Sequence, residues 1–174
     1  FAVSQPLSVL IQVLLFEPEV FFSFRSKLDI PGFKDQVSSF GVNHQSNGRM
    51  EPLSRSWWRL FAKFVFERDK LVLFIKPWYR IPEGDEDDNP DIQNYLGYGE
   101  IGGAYYLNKH VLSFMVRNNL QSDNHGAVQL DWSFPLQNRV NGYIQYFYGY
   151  GESLVDYDHK VQRIGLGILL ANWL

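Results

Sequence analysis

Apolar and polar residues alternate along most of the chain. In Ala127–Phe134, Val128, Leu130, Trp132 and Phe134 fall on one parity, and Ala127, Gln129, Asp131 and Ser133 on the other. An extended strand points successive side chains to opposite faces, so the segment predicts one apolar wall and one polar wall. Arg163–Leu170 repeats the pattern, with Ile164, Leu166, Ile168 and Leu170 opposite Arg163, Gly165 and Gly167. In Trp57–Phe66, Trp58, Leu60, Ala62, Phe64 and Phe66 oppose Arg59 and Lys63. In Lys70–Arg80, Leu71, Leu73 and Ile75 oppose Lys76 and Arg80.

Further strands are expected near Glu19–Lys27, Lys34–His44, Tyr95–Tyr106, His110–Asn119 and Arg139–Tyr150, about nine or ten in all. Short turns separate them at Glu67–Lys70, Leu107–Lys109 and Pro135–Asn138, and one longer acidic loop spans Pro82–Asp91. No helical period of comparable strength is present. Phe1–Leu7 reads as the end of a strand, but Ser8–Phe16 follows it without turn chemistry, which points to a discontinuity there. The whole chain reads as a single all-β domain.

Two closed architectures fit such alternation. A soluble barrel of lipocalin type hides its apolar face, whereas a membrane barrel turns it outward and keeps charge in the lumen. The polar faces here mix Arg, Lys and Glu with Gly and Ser, which suits a crowded charged lumen. The apolar faces carry Leu, Ile, Phe and Trp, with Tyr and Trp near strand ends. These features favour an antiparallel transmembrane β-barrel, and the apolar ending Asn172-Trp173-Leu174 suits a closing strand.

Composition agrees. Aromatics make up 17% of the residues, as expected of a wall anchored at two membrane interfaces, and the mean hydropathy of −0.23 is that of two averaged faces. No apolar run reaches the roughly 18 residues of a spanning helix. The net charge of −3, without a basic block, gives no support to nucleic-acid binding. There is no cysteine, so no disulfide framework is available. The first residues lack the basic region of a secretion signal.

The densest chemistry lies at Asn43-His44-Gln45-Ser46-Asn47-Gly48-Arg49. His44 and Ser46 are two apart on a strand and share a face with Phe40 and Val42, which is the lipid side. A serine hydroxyl becomes a competent nucleophile when an adjacent base takes its proton, and histidine is the usual base. On spacing alone the blander reading, a polar stretch at the membrane interface, outweighs this, because isolated His-x-Ser pairs are frequent. The acidic loop by itself likewise reads as hydrated surface.

The wider pattern shifts that balance. His44–Arg49 is followed by Pro52-Leu53-Ser54-Arg55-Ser56-Trp57, then by Lys76-Pro77-Trp78-Tyr79, Asp87-Asp88-Asn89-Pro90-Asp91-Ile92 and Gly149-Tyr150-Gly151-Glu152-Ser153-Leu154. In order and spacing these blocks closely resemble the outer-membrane phospholipase A family of Gram-negative bacteria, from about Glu17 to Leu174. The resemblance implies a twelve-stranded outer-membrane barrel that hydrolyses phospholipid acyl esters on its outer wall, needs calcium and works as a reversible homodimer. It assigns Ser46 as nucleophile and His44 as base. It places calcium at the Arg49 carbonyl and the Ser54 hydroxyl, with a second position at Glu51 and Asp88. The Ser46 N–H and groups around Gly48 are the expected oxyanion donors.

The resemblance departs at Trp58, where the family carries the Asn that orients the histidine. An indole donates a hydrogen bond but accepts none. The contact that fixes the imidazole tautomer is therefore missing, and Trp58→Asn is expected to raise activity. Asn43 and Gln45 point to the opposite face and are poor substitutes. A catalytically weakened or inactive barrel with a structural or pore role is the competing reading.

Overall fold

In the computed structural model the alternating segments form, among the described residues, nine strands: β1 (Glu19–Arg25), β2 (Asp35–Ser46), β3 (Ser56–Arg68), β4 (Leu71–Ile81), β5 (Gly99–Leu107), β6 (His110–Asn118), β7 (Gly126–Gln137), β8 (Val140–Gly149) and β9 (Val161–Leu170). A helical turn, α1 (Gln93–Leu96), interrupts the series. The structure describes residues 16–25, 32–33, 35–84, 87–137 and 140–170. The expected strand end at Phe1–Leu7, the run to Leu15 and the ending Asn172–Leu174 lie outside the described residues.

Each strand pairs with its sequence neighbours, giving one antiparallel sheet in the order β1 to β9. The sheet is not closed among the described residues, and β1 and β9 form its edges. Hairpins join most neighbours, with Asp69 and Asn108 taking the positive φ that tight turns require.

The faces follow the sequence parity. Ile164, Leu166 and Ile168 are 70%, 80% and 66% exposed, and Val128, Leu130 and Trp132 lie on the same outer wall. Inside, Asp131 accepts hydrogen bonds from Ser113, Gln129, Tyr143 and Gln145. Lys76 lies 3.5 Å from Glu19 and over the Phe61 ring, and Arg163 pairs with Glu152. Apolar outside and hydrogen-bonded charge inside is the arrangement of a membrane barrel wall. A cationic substitution on this wall should therefore be costly: Leu130→Arg, near the middle of β7, is expected to destabilise the protein by about 2–4 kcal/mol. Reversible unfolding in lipid vesicles measures it, and an unchanged midpoint would mean that the face does not meet hydrocarbon.

Two segments differ from the expectation. Tyr95 begins no strand, because β5 starts at Gly99. Ile92 and Leu96, spaced as one helical face, are buried instead in a cap with Trp57, Phe61, Trp78, Leu154 and Tyr157. Gly97, at φ +72°, ends the turn and passes so close to Asn118 that a Cβ would stand 2.2 Å from its carbonyl oxygen. Pro135, expected in a turn, lies within β7, where the register shifts between Pro135 and Gln137. A residue without an N–H is tolerated in a strand at such an irregularity.

Candidate active site

The site forms where β2 leaves the sheet. Phe16 bridges to Ser46, and the Pro18 carbonyl accepts the His44 N–H, so the edge segment follows β2 to its last residue. On β2 the inward side chains are Asn43 and Gln45, and the outward ones are His44 and Ser46. The inward pair is tightly held. Arg59 Nε donates to Asn43 Oδ1 at 3.0 Å, and Arg59 Nη2 donates to Glu17 at 2.8 Å. Asn43 Nδ2 also donates to Glu17, and Trp57 Nε1 donates to Gln45 Oε1 at 2.7 Å. The Arg59 guanidinium lies over Trp57 at 4.3 Å. Asn43 and Gln45 are thus committed to the interior, as their parity requires.

His44 and Ser46 are both half-buried on the outer face, roughly 7 Å apart along the strand by its rise per residue. Around them the wall is apolar, with Phe16, Val20, Phe22, Phe40 and Leu60 exposed. His44 pairs across the ladder with Trp58, whose ring lies 4.4 Å from the imidazole at 34°. The imidazole Nδ1 is buried and has no hydrogen-bond partner. Trp58 stacks on the ring but supplies no acceptor.

After Ser46 the chain turns through Gly48, at φ +62°, where a Cβ would also press within 3.3 Å of the Phe16 ring. Asn47 closes this loop. Its Nδ2 donates to the Leu53 carbonyl at 2.7 Å, and its Oδ1 accepts from the Arg49 and Arg55 N–H groups. The Ser46 N–H, one of the two expected oxyanion donors, is occupied by the Phe16 carbonyl at 2.9 Å.

The Asp87–Asp91 part of the acidic loop is tied to the same corner. Arg80 Nη2 grips both oxygens of Asp87 at 2.5 and 2.7 Å, and Nη1 donates to the Pro90 carbonyl. Asn89, fully buried, accepts the Ser56 N–H at 3.0 Å. Tyr157 donates to Asp91, tying in the loop between β8 and β9. This clamp brings Ser54 Oγ onto Asp88 Oδ2 at 2.5 Å. Two residues expected to serve separate calcium positions therefore meet. Arg49 lies in the Asn47-closed loop, and Glu51 is exposed at its tip.

Hydroxyl, carboxylate and carbonyl oxygens are the hard donors that calcium prefers. Among the described residues no group of three or more His, Asp or Glu gathers into a metal cluster. Ser54 Oγ and Asp88 Oδ2 are two such donors in contact, able to hold a calcium ion together with a main-chain carbonyl.

Glu83 was not singled out in the sequence. It follows β4 by two residues, and its Oε1 is buried without a partner. Burial, and then the neighbouring Asp87 charge, push its carboxyl above the usual range, against Arg80 and His44. Parity could have found it, since Glu83 shares the parity of Ile81, the partner of Trp58.

The phospholipase A1 family model matches residues 5–170. The phospholipase A1 of Escherichia coli K12 is 38% identical over 155 residues, covering 89% of this chain and 53% of that protein. A putative phospholipase A1 of Neisseria meningitidis is 38% identical over 157 residues, covering 88% of this chain and 41% of that protein. The chain spans about half the length of the curated relatives it matches. The crystal structure of outer membrane phospholipase A from E. coli superposes with a TM-score of 0.83 at 36% identity, covering 91% of this chain and 60% of that one. A Salmonella typhi outer membrane phospholipase dimer with bound calcium gives the same TM-score, identity and coverage. An outward His-Ser pair on an apolar antiparallel wall, together with these matches, shows that the chain belongs to the phospholipase A1 family of outer-membrane β-barrels.

Proposed function

We propose that the chain forms the catalytic wall of a calcium-dependent phospholipase that hydrolyses acyl esters of outer-membrane phospholipids. The observation carrying this reading is the outward projection of His44 and Ser46 from an otherwise apolar wall, beside polar loops. Polar groups on a lipid face are costly to keep without a function.

His44 takes the Ser46 proton as Ser46 Oγ attacks the ester carbonyl carbon. The tetrahedral intermediate puts negative charge on the former carbonyl oxygen, and the Gly48 N–H is a main-chain donor for it. Collapse expels the lysophospholipid alkoxide, which His44 protonates, leaving an acyl ester on Ser46. A water molecule deprotonated by His44 then releases the fatty acid and restores Ser46. The exposed Phe16, Phe22, Phe40 and Leu60 offer the acyl chains an apolar bed. The Arg49 carbonyl, Ser54 and Asp88, with Glu51 at the loop tip, are the proposed calcium ligands. Calcium, when bound, supplies positive charge near the developing oxyanion. A second copy of the chain in a reversible homodimer is the proposed partner that completes the site, in line with the calcium-bound dimer of the Salmonella relative.

One observation favours a weaker enzyme or an inactive structural barrel: the orphaned His44 Nδ1 beside Trp58. Fatty-acid release from phospholipid vesicles separates the readings. Calcium-dependent release is expected, and none at any calcium concentration would leave a structural or pore role.

A further inference from the structure

We propose that the Glu83 carboxylate positions His44 by accepting the hydrogen of its Nδ1, leaving Nε2 free to face Ser46. The inference rests on the catalytic reading above and supplies the group that this reading lacks.

The sheet register carries it. Ser46 pairs with Ser56 and His44 with Trp58, while Trp58 pairs on its other side with Ile81. Glu83 stands two residues beyond Ile81, just past the end of β4, and Trp58, the partner of Ile81, lies directly opposite His44.

Among the buried atoms in this corner that lack partners, two are complementary. His44 Nδ1 can donate, and Glu83 Oε1 can accept. An unmade bond at a buried polar atom is costly, and one hydrogen bond relieves both atoms. The Trp58 indole packs against the imidazole at 34°, so rotation of the Glu83 side chain is the simplest way to close the pair.

Arg80 is the competing partner for Glu83, because its Nε is also buried without an acceptor. Its Nη atoms are already held by Asp87 and Pro90, and its parity points inward. A carboxylate in this role also stabilises the imidazolium that forms as Ser46 loses its proton, which a neutral amide does less well. Trp58 is then no longer a missing residue. Its side chain packs against the imidazole that Glu83 orients.

The test uses the whole protein in detergent micelles, with kcat measured on a phospholipid and His44 followed by ¹⁵N chemical shifts, which report which ring nitrogen carries the proton. Glu83→Ala is expected to lower kcat about 10- to 1,000-fold, scaled down from the roughly four orders lost when a triad histidine takes the wrong tautomer. The His44 shifts should move towards a mixture of tautomers. Glu83→Gln, which keeps an acceptor oxygen, should restore most of the rate. In the Glu83→Ala background Trp58→Asn should also restore activity, while Trp58→Asn alone should gain little. Unchanged His44 shifts in both Glu83 variants would overturn the proposal and assign Glu83 to Arg80 or to loop structure. So would a large gain from Trp58→Asn alone. Loss of rate in Glu83→Ala without rescue by Gln or by Trp58→Asn would equally count against it. The shifts are read without turnover, so this proposal can fail while the catalytic reading stands.

Discussion

Ser46→Ala is expected to remove at least about a thousandfold of the ester hydrolysis, leaving a folded barrel with an unaltered outer wall. Serine hydrolases that lose the nucleophile fall by as much as about a millionfold, and the residue of activity comes from binding and oxyanion stabilisation. The Ser46 backbone is held independently of its side chain, because its N–H donates to Phe16 and β2 pairs with β3 as far as Ser56. Loss of activity can therefore be read as loss of chemistry. A sulfonylating reagent should label the parent at Ser46 and leave the variant unlabelled. Full activity in Ser46→Ala would end the enzymatic reading and turn attention to the barrel as a structural or pore-forming element.

Removing calcium with a chelator is expected to lower the rate about 100- to 1,000-fold, the order lost when one preorganised oxyanion stabiliser is deleted. Activity should return on adding calcium back. Ser54→Ala should raise the calcium needed for half-maximal rate by about 10- to 100-fold, the range seen when a group supporting a metal site is lost. The contact between Ser54 and Asp88 makes a second arm informative. If both residues address one ion, Asp88→Ala should shift the same calcium dependence, and the double variant should do little more than either single one. Additive shifts would instead indicate two separate ions, as the sequence comparison implied. A calcium response unchanged in all three variants would remove this corner as the metal site.

The barrel wall was legible in the sequence because a strand has a period of two and a membrane barrel needs that period to be kept almost everywhere. Val128, Leu130 and Trp132 declared their face, and Arg59 and Lys76 declared the other. The loops were less legible because their placement depends on partners distant in sequence. Asp87 reads as hydrated charge until Arg80 is seen to grip it, and Ile92 and Leu96 read as the approach to a strand until the cap around Trp57 buries them. The shared outward face of His44 and Ser46 was legible from parity, and their proposed role rests on the resemblance. Glu83 escaped because it stands beyond the regular strand, in a segment that reads as acidic and exposed. Its relation to His44 exists only through two successive inter-strand registers.

The network behind β2 gives the outward pair a buried polar foundation. A strand is a partition one residue thick, and the residues flanking Ser46 and His44 belong to the other compartment. Gln45 and Asn43 are tethered through Arg59, Trp57 and Glu17 to the barrel interior. On the proposed reading the substrate stays on the outer face, while these inward ties hold the backbone from which His44 and Ser46 project. The two faces of one strand then divide the work: the apolar one meets the lipid, and the polar one fixes how the pair is aimed.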